Sequence, residues 1–300
     1  MRQPTNNSGS PYVCFGFCGF GRESVYPLEM EVSSLLDKEY LVFNMQYYYD
    51  EELQQGRDID IYAIPNIDIE YITNGEKAKT LYPFSLRTEI AIECKKSKTH
   101  AWVFYTRPHT YPPDYLYTDG AYRDNLETGS GYSQFLFGKV RLHYDEFEEL
   151  AVAYDEVKIE KGRDKDSRRD IFGALNQLIK FIQYTMGPPK EQILEKTFHI
   201  LIFFPIVVFD GRMYKVQLEE GQPILSTAEH ILVETHYRSP FTGKVEGFLV
   251  DIVHRSSFPD FMKKLHYDLN GMRESIIEHH DEWLEEIHSI QQEYLKEKKS

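Results

Sequence analysis

The chain has 300 residues, 41% hydrophobic and 14% aromatic, enough to fill the core of one large domain or two ordinary ones, and it carries a net charge of −14. That charge excludes a protein that coats nucleic acid non-specifically through a broad cationic surface, although it leaves room for a local basic groove. Three cysteines, Cys14, Cys18 and Cys94, are too few for a disulfide framework or a four-ligand zinc site, so they read as free thiols in a reducing cytoplasm.

Residues 1–22 read as a flexible polar tail without the cationic lead and apolar core of a secretory signal. The longest apolar runs, YVCFGFC and HILIFFPIVVF, fall short of the ~20 residues that span a bilayer, so no membrane span is expected. YPLEMEVSSLLDKE places Leu28, Val32, Leu35 and Leu36 at helical spacing behind Pro27, which suits a first turn. YLVFNMQYYY reads as a strand, and RDIDIYAI as a second by strict alternation, with Ile59, Ile61 and Ala63 on one face and Asp58, Asp60 and Tyr62 on the other. Residues 67–84 carry the turn signal Asn74-Gly75 and read as a hairpin excursion. TEIAIECKKS follows as a strand with Ile90, Ile92 and Cys94 on one face and Ala91, Glu93 and Lys95 on the other, and AWVFY as a further short strand.

Residues 106–165, dense in Tyr, Pro, Gly and Asp, form a structured insertion whose aromatics would bury something. SRRDIFGALNQLIKFIQYTM is a second amphipathic helix, ended by Gly187-Pro188-Pro189. FHILIFFPIVVFDG is a continuous apolar run that suits a central strand covered on both faces. Residues 212–300 form an extension of short strands that ends in an amphipathic helix with Ile276, Ile277, Leu284, Ile287, Ile290 and Leu295 on its stripe. That stripe suggests self-association, with packing on the chain's own core an equal alternative. The expected class is α/β: helix, strand, strand, strand, helix, strand, with helices on both sides of a mixed sheet.

An acid-x-Lys triplet occurs three times, at Glu93-Cys94-Lys95, Glu156-Val157-Lys158 and Glu297-Lys298-Lys299. The last ends a charged helix and reads as a solvated face. The middle one sits on a credible strand but has no acid-bearing helix and strand before it in the right order. Glu93 and Lys95 follow Asp60 on a strand and Glu29 on a helix. Other features are weaker: GFCGFGRES lacks the Lys-Ser/Thr of a phosphate loop, and His279, His280 and His288 sit in an acidic, exposed helix. Arg238 and Lys244 in HYRSPFTGK read as surface charge, and the tyrosines at 111, 115, 117, 122 and 132 read equally as base-stacking groups or an aromatic mini-core.

With these residues in this order the chain resembles the PD-(D/E)xK nuclease superfamily, the restriction-endonuclease-like fold, and within it type IV restriction enzymes and archaeal Holliday-junction resolvases. LEMEVSSLL (28–36) is similar to the first-helix pattern, RDIDIYA (57–63) to the Asp-bearing strand, and IAIECKKS (90–97) to the Glu-x-Lys strand. The resemblance spans residues 25–105; the helix at 167–186 and the strand at 198–209 fit the rest of the core. Ile59, not proline, precedes Asp60, and many members also lack that proline; Asp58 is a neighbour that could compete, but the family register fits better with Asp60 as ligand.

The resemblance implies a nuclease core split into 23–105 and 166–211, acting as a Mg²⁺-dependent endonuclease on DNA, in defence against foreign DNA such as phage, with Mn²⁺ able to substitute. Asp60, Glu93 and the backbone carbonyl of Cys94 would hold the metal, hard oxygen ligands being what Mg²⁺ takes. Lys95 would orient and help deprotonate the attacking water or steady developing charge, and Glu29 would assist by hydrogen-bonding a metal-bound water or helping to hold a second ion. Lys96, Lys98, Arg168 and Arg169 are the weaker candidates for contacts to the nucleic-acid backbone. The rival expectation is a noncatalytic nuclease-fold protein that binds nucleic acid or a partner subunit; a third is activity switched on by a partner protein.

Overall fold

The computed structural model describes residues 25–66, 84–108, 122–124, 142–159, 170–187, 198–241 and 243–279, together with 281, 282, 285, 289, 292 and 296. The tail expected at 1–22, the hairpin expected at 67–84 save for Phe84, most of the 106–165 insertion, Arg168, Arg169 and the stripe residues Leu284, Ile287, Ile290 and Leu295 lie outside the described residues.

Helix α1 (Tyr26–Leu36) begins with Pro near its first position and turns Leu28, Val32 and Leu36 inward. Strands β1 (Tyr40–Asp50), β2 (Gln55–Pro65) and β3 (Phe84–Pro108) follow. The short strand expected at AWVFY is the second half of β3, because the irregularity at Lys96/Ala101 bends the strand without ending it. The insertion contributes β4 (Tyr122–Asp124), a 3-10 turn at His143–Glu146 and β5 (Glu149–Lys158). Then come α2 (Asp170–Met186), β6 (Phe198–Glu219), β7 (Gln222–Thr227), β8 (His230–Arg238), β9 (Val245–His254) and α3 (Phe258–Glu278). Helix α3 starts well before the amphipathic stretch expected at the end of the chain, because Phe258, Phe261, Met262, Leu265, Leu269 and Met272 already supply a buried stripe.

The nine strands form one mixed sheet, so the insertion joins the core instead of lying apart from it. β6 runs parallel to β3 on one edge and to β9 on the other, which explains its unbroken apolar run. Pro205 falls between the β4 pairs, which reach Ile202, and the β9 pairs, which begin at Ile206, so on that edge its missing N–H costs no ladder bond. Following the pairings from β3 through β5, β8, β9 and β6 leads back to β3, a closed circuit.

The two faces are packed separately. Helices α1 and α3 cover Ile61, Ala63, Ile90, Ile92, Cys94 and Val208. Helix α2 covers Tyr48, Ile59, Tyr62, Ala91, Val207 and Phe209. Each Ile, Val or Phe among them contributes about 1.5–3 kcal/mol relative to an exposed one. Among the described residues no helix is long and apolar enough to cross a membrane.

One correction falls next to the candidate residues. Strict alternation on β2 puts Ile59 with Ile61 and Ala63, but Ile59 packs under α2 while the other two pack under α1. The phase slips at Asp60. Opposite it, in the register set by Asn44↔Ile61 and Gln46↔Ile59, Met45 has φ 54°, and this left-handed residue turns the hairpin so that its two halves face different layers.

Candidate active site at a fork in the sheet

The β2–β3 ladder holds only Ile61↔Ile92, Tyr62↔Ala91 and Ala63↔Ile90. β5 joins the same edge of β3 from His100 onward, since β6 occupies the other. On that edge, between β2 and β5, no strand among the described residues pairs with β3 at Glu93–Lys98, while β6 continues on the other edge to Lys96. The sheet forks there, and the Glu-x-Lys triplet lies in the fork.

Side chains fill the polar gaps that the missing ladder leaves. Asp60 Oδ2 accepts the Cys94 N–H at 2.7 Å, and Gln177 of α2 donates Nε2–H to the Asp58 carbonyl at 2.6 Å. In an extended strand a residue's N–H and C=O point to the same neighbour, so the Cys94 carbonyl faces the Asp60 side. Lys95 Nζ lies 3.9 Å from Asp60 Oδ2 and donates to Glu93 Oε2. The structure thus brings Asp60, Glu93 and Lys95 together from two strands. Asp58 leaves its side chain outside this group, and its carbonyl is what takes part.

Burial sets the electrostatics. Glu93 is fully buried, and this pushes its carboxyl up to about 8, with Asp60 adding to the rise and Lys95 opposing it. Burial also raises Asp60, against Lys95 and the Cys94 N–H. The two carboxylates hold Lys95 as an ammonium, overcoming the burial that favours the neutral amine. Glu29 is half-buried on α1, its carboxyl raised by burial and then by the nearby Asp60 charge, with Lys95 opposing. Among the described residues its carboxylate makes no hydrogen bond or ion pair, so its helix is what keeps it near. Among the described residues Glu93 Oε1 is buried beside Asp60 without a well-formed hydrogen bond.

The donor set fits a hard divalent cation: two carboxylates, one with a buried oxygen lacking a well-formed hydrogen bond, and a main-chain carbonyl on the same side. Among the described residues no three His, Cys, Asp or Glu side chains converge on one point, so this set depends on the carbonyl as third oxygen. The Cys94 thiol points into the α1 layer, and burial raises it further from ionisation.

The remaining candidates divide. Lys96 faces the α1 layer and pairs with Asp210 at 3.3 Å, so it does not line the fork. Lys98 is exposed at the fork's far end. Glu156 of the competing triplet accepts the Ile171 N–H at 2.9 Å and caps the start of α2. Arg238 closes its own turn on the Gly243 carbonyl at 3.0 Å, and half-buried His279 lies 3.4 Å from Glu282.

Sequence reasoning missed a buried network in the layer between the sheet and α3. His143 Nδ1 meets Asp268 Oδ2 at 2.7 Å and Nε2 meets Asp251 Oδ2 at 3.2 Å, while Asp251 Oδ1 meets His230 Nε2 at 2.7 Å. Asp251 lies inside the apolar run FLVDIVH and Asp268 on the inner face of α3, and an acid at an inward position of each was the available signal.

No family model matches the chain, and no curated protein or solved structure matches it.

Proposed function

We propose that the chain is a metal-dependent phosphodiesterase that cuts DNA, working in the cytoplasm against foreign DNA. The observation that carries this reading is the fork: Asp60 and Glu93 meet beside an ammonium, with one buried carboxylate oxygen lacking a well-formed hydrogen bond. A bound divalent cation supplies charge for the scissile phosphate and an acidified water. Asp60, Glu93 and the Cys94 carbonyl would hold it. Lys95, kept charged by the two carboxylates, steadies negative charge on the phosphate and is not a base. Glu29 orients water at the rim.

The test is plasmid digestion in Mg²⁺ or Mn²⁺ together with calorimetric Mn²⁺ binding. Wild type should cleave; Lys95→Ala should lose about 10²-fold or more, and Asp60→Asn should lose both cleavage and Mn²⁺ binding. Equal cleavage by wild type and Lys95→Ala overturns the reading. The second reading, a noncatalytic nuclease-fold protein, is favoured by the net charge of −14; no cleavage by wild type with DNA binding intact would select it.

A further inference from the structure

Midway along β3 and β6, and just past the carboxyl end of β9, charges stand on one level. Lys96 of β3 pairs in register with Asp210 of β6. Phe209 pairs with His254, and the next residue, Arg255, donates its N–H to the Phe209 carbonyl at 2.9 Å, which brings Arg255 level with Asp210. Asp210 Oδ2 lies 3.3 Å from Lys96 Nζ and 3.4 Å from Arg255 Nη1. Arg255 then turns its other edge to Glu31 of α1, with Nε 3.1 Å from Oε1 and Nη2 on Oε2. That is a two-pronged guanidinium–carboxylate contact, which fixes orientation as well as distance.

Glu31 is two residues from Glu29, about 200° around the helix. The two carboxylates therefore leave α1 on different sides, one toward Arg255 and the other toward the fork. Among the described residues the Glu29 carboxylate has no hydrogen bond or ion pair, so, within the play left by the packing of Leu28, Val32 and Leu36, the rotation of α1 about its axis decides where it lies. A carboxylate about 6 Å from the axis moves about 2 Å for a 20° rotation, and a 1 Å misplacement can cost about 10²-fold in rate.

We propose that Arg255 is a positioning residue: by gripping Glu31 it sets the rotation of α1 and keeps Glu29 facing Asp60 and Lys95. This rests on the reading of the fork as a reaction centre. A purely structural pair would behave differently. Arg255 and Glu31 are each 42% exposed, and exposed pairs contribute about 0–1 kcal/mol, so removing the contact should leave the fold standing.

The test uses the full chain with Arg255→Ala, Arg255→Lys and Glu29→Gln, alone and combined, read by plasmid-cleavage kinetics, amide hydrogen exchange and melting. Arg255→Ala should lower kcat by up to about 5-fold, the most that a contact of this strength can shift the position of α1, with KM within about 2-fold, speed exchange in residues 26–36 but not in α2, and leave the melting temperature within a few degrees. Arg255→Lys, which keeps the charge without the fork, should be intermediate. In the Glu29→Gln background, Arg255→Ala should cost nothing more, since both act through one carboxylate. Additive losses, unchanged α1 exchange, or a loss that tracks melting would overturn the proposal. If wild type cleaves no DNA the nuclease reading falls, and exchange alone still decides whether Arg255 holds α1: faster in Arg255→Ala supports the hold, unchanged overturns it.

Discussion

Met45 is an exposed, unbranched residue held at φ 54° inside a strand, where such a backbone costs about 1–3 kcal/mol unless its surroundings require it. Here they do: the slip it imposes lets Ile59 and Ile61 fill opposite cores while Asp60 reaches the Cys94 N–H. Strand propensity and local backbone therefore pull in opposite directions. Met45→Asn, which tolerates the left-handed region, should keep or gain up to about 1 kcal/mol, whereas Met45→Val, a better strand former, should lose about 1–2 kcal/mol in urea titrations. A stabilising valine would show that the conformation is not held. Glu93 gives a second contrast. Its burial opposes ionisation, so the carboxyl is costly to the fold and its presence needs a functional reason. Glu93→Gln keeps the shape and an acceptor for Lys95; it should leave stability equal or about 1 kcal/mol higher while removing metal-dependent cleavage. A variant that is both less stable and fully active would assign Glu93 to structure.

At the scale of elements, the fork depends on how β3 passes from one partner to another. Between Lys96 and Ala101 its register against β6 shifts, and the extra chain bulges over Gly211. A Cβ there would lie 2.4 Å from the Phe209 ring and 2.7 Å from the Ser97 carbonyl oxygen, closer than atoms approach. Because one of these is main chain, Gly211→Ala must move the segment that follows Lys95, costing about 1–3 kcal/mol and disturbing the site more than an ordinary surface alanine. Thermal melts and cleavage of this variant, beside Gly271→Ala in open space on α3, check it. These elements were unevenly legible in the sequence. Alternation on IAIECKK assigned both faces of β3 correctly, and the 3.6-residue period located α1 and α2, since those patterns depend only on local geometry. The fork, the joining of AWVFY to β3 and the place of β5 in the sheet all depend on which strand lies beside which, and side-chain periodicity carries no such information. Asp60, Glu93 and Lys95 could be picked out because acids and a lysine stand in an apolar pattern. Arg255 could not, because one arginine in a turn looks like any other until α1 is placed against it.

At the scale of the whole molecule, one polar cluster sits within an otherwise apolar layer and joins three distant parts of the chain. His143 precedes β5, Asp251 lies in β9 and Asp268 in α3, and His143 and Asp251 are wholly buried. Burial alone would lower the His143 pKa, but the Asp251 and Asp268 carboxylates override it and raise it to about 9. Burial likewise disfavours the Asp251 carboxylate, and His143 with His230 outweighs it, lowering the pKa to about 2. The imidazolium is thus a buried cation clamped between carboxylates from two elements, so its charge state and the docking of α3 are coupled. Because the folded pKa of His143 exceeds its unfolded value, the stability it contributes is fully present below about pH 6.5 and is lost as pH rises through about 9. For Asp251 the sense is opposite: the contribution is present above its ordinary carboxylate range and is lost as pH falls through about 2. The same ion pair underlies both losses, so they are not added, and the whole effect is of the order of a few kcal/mol. Urea midpoints should therefore fall from pH 7 to pH 9.5. In His143→Gln/Asp268→Asn, which keeps hydrogen-bonding shape while removing one charge of each sign, that alkaline slope should flatten. A wild type whose midpoint is constant across this range would show that His143 is neutral in the fold and that the clamp is an ordinary hydrogen-bond network.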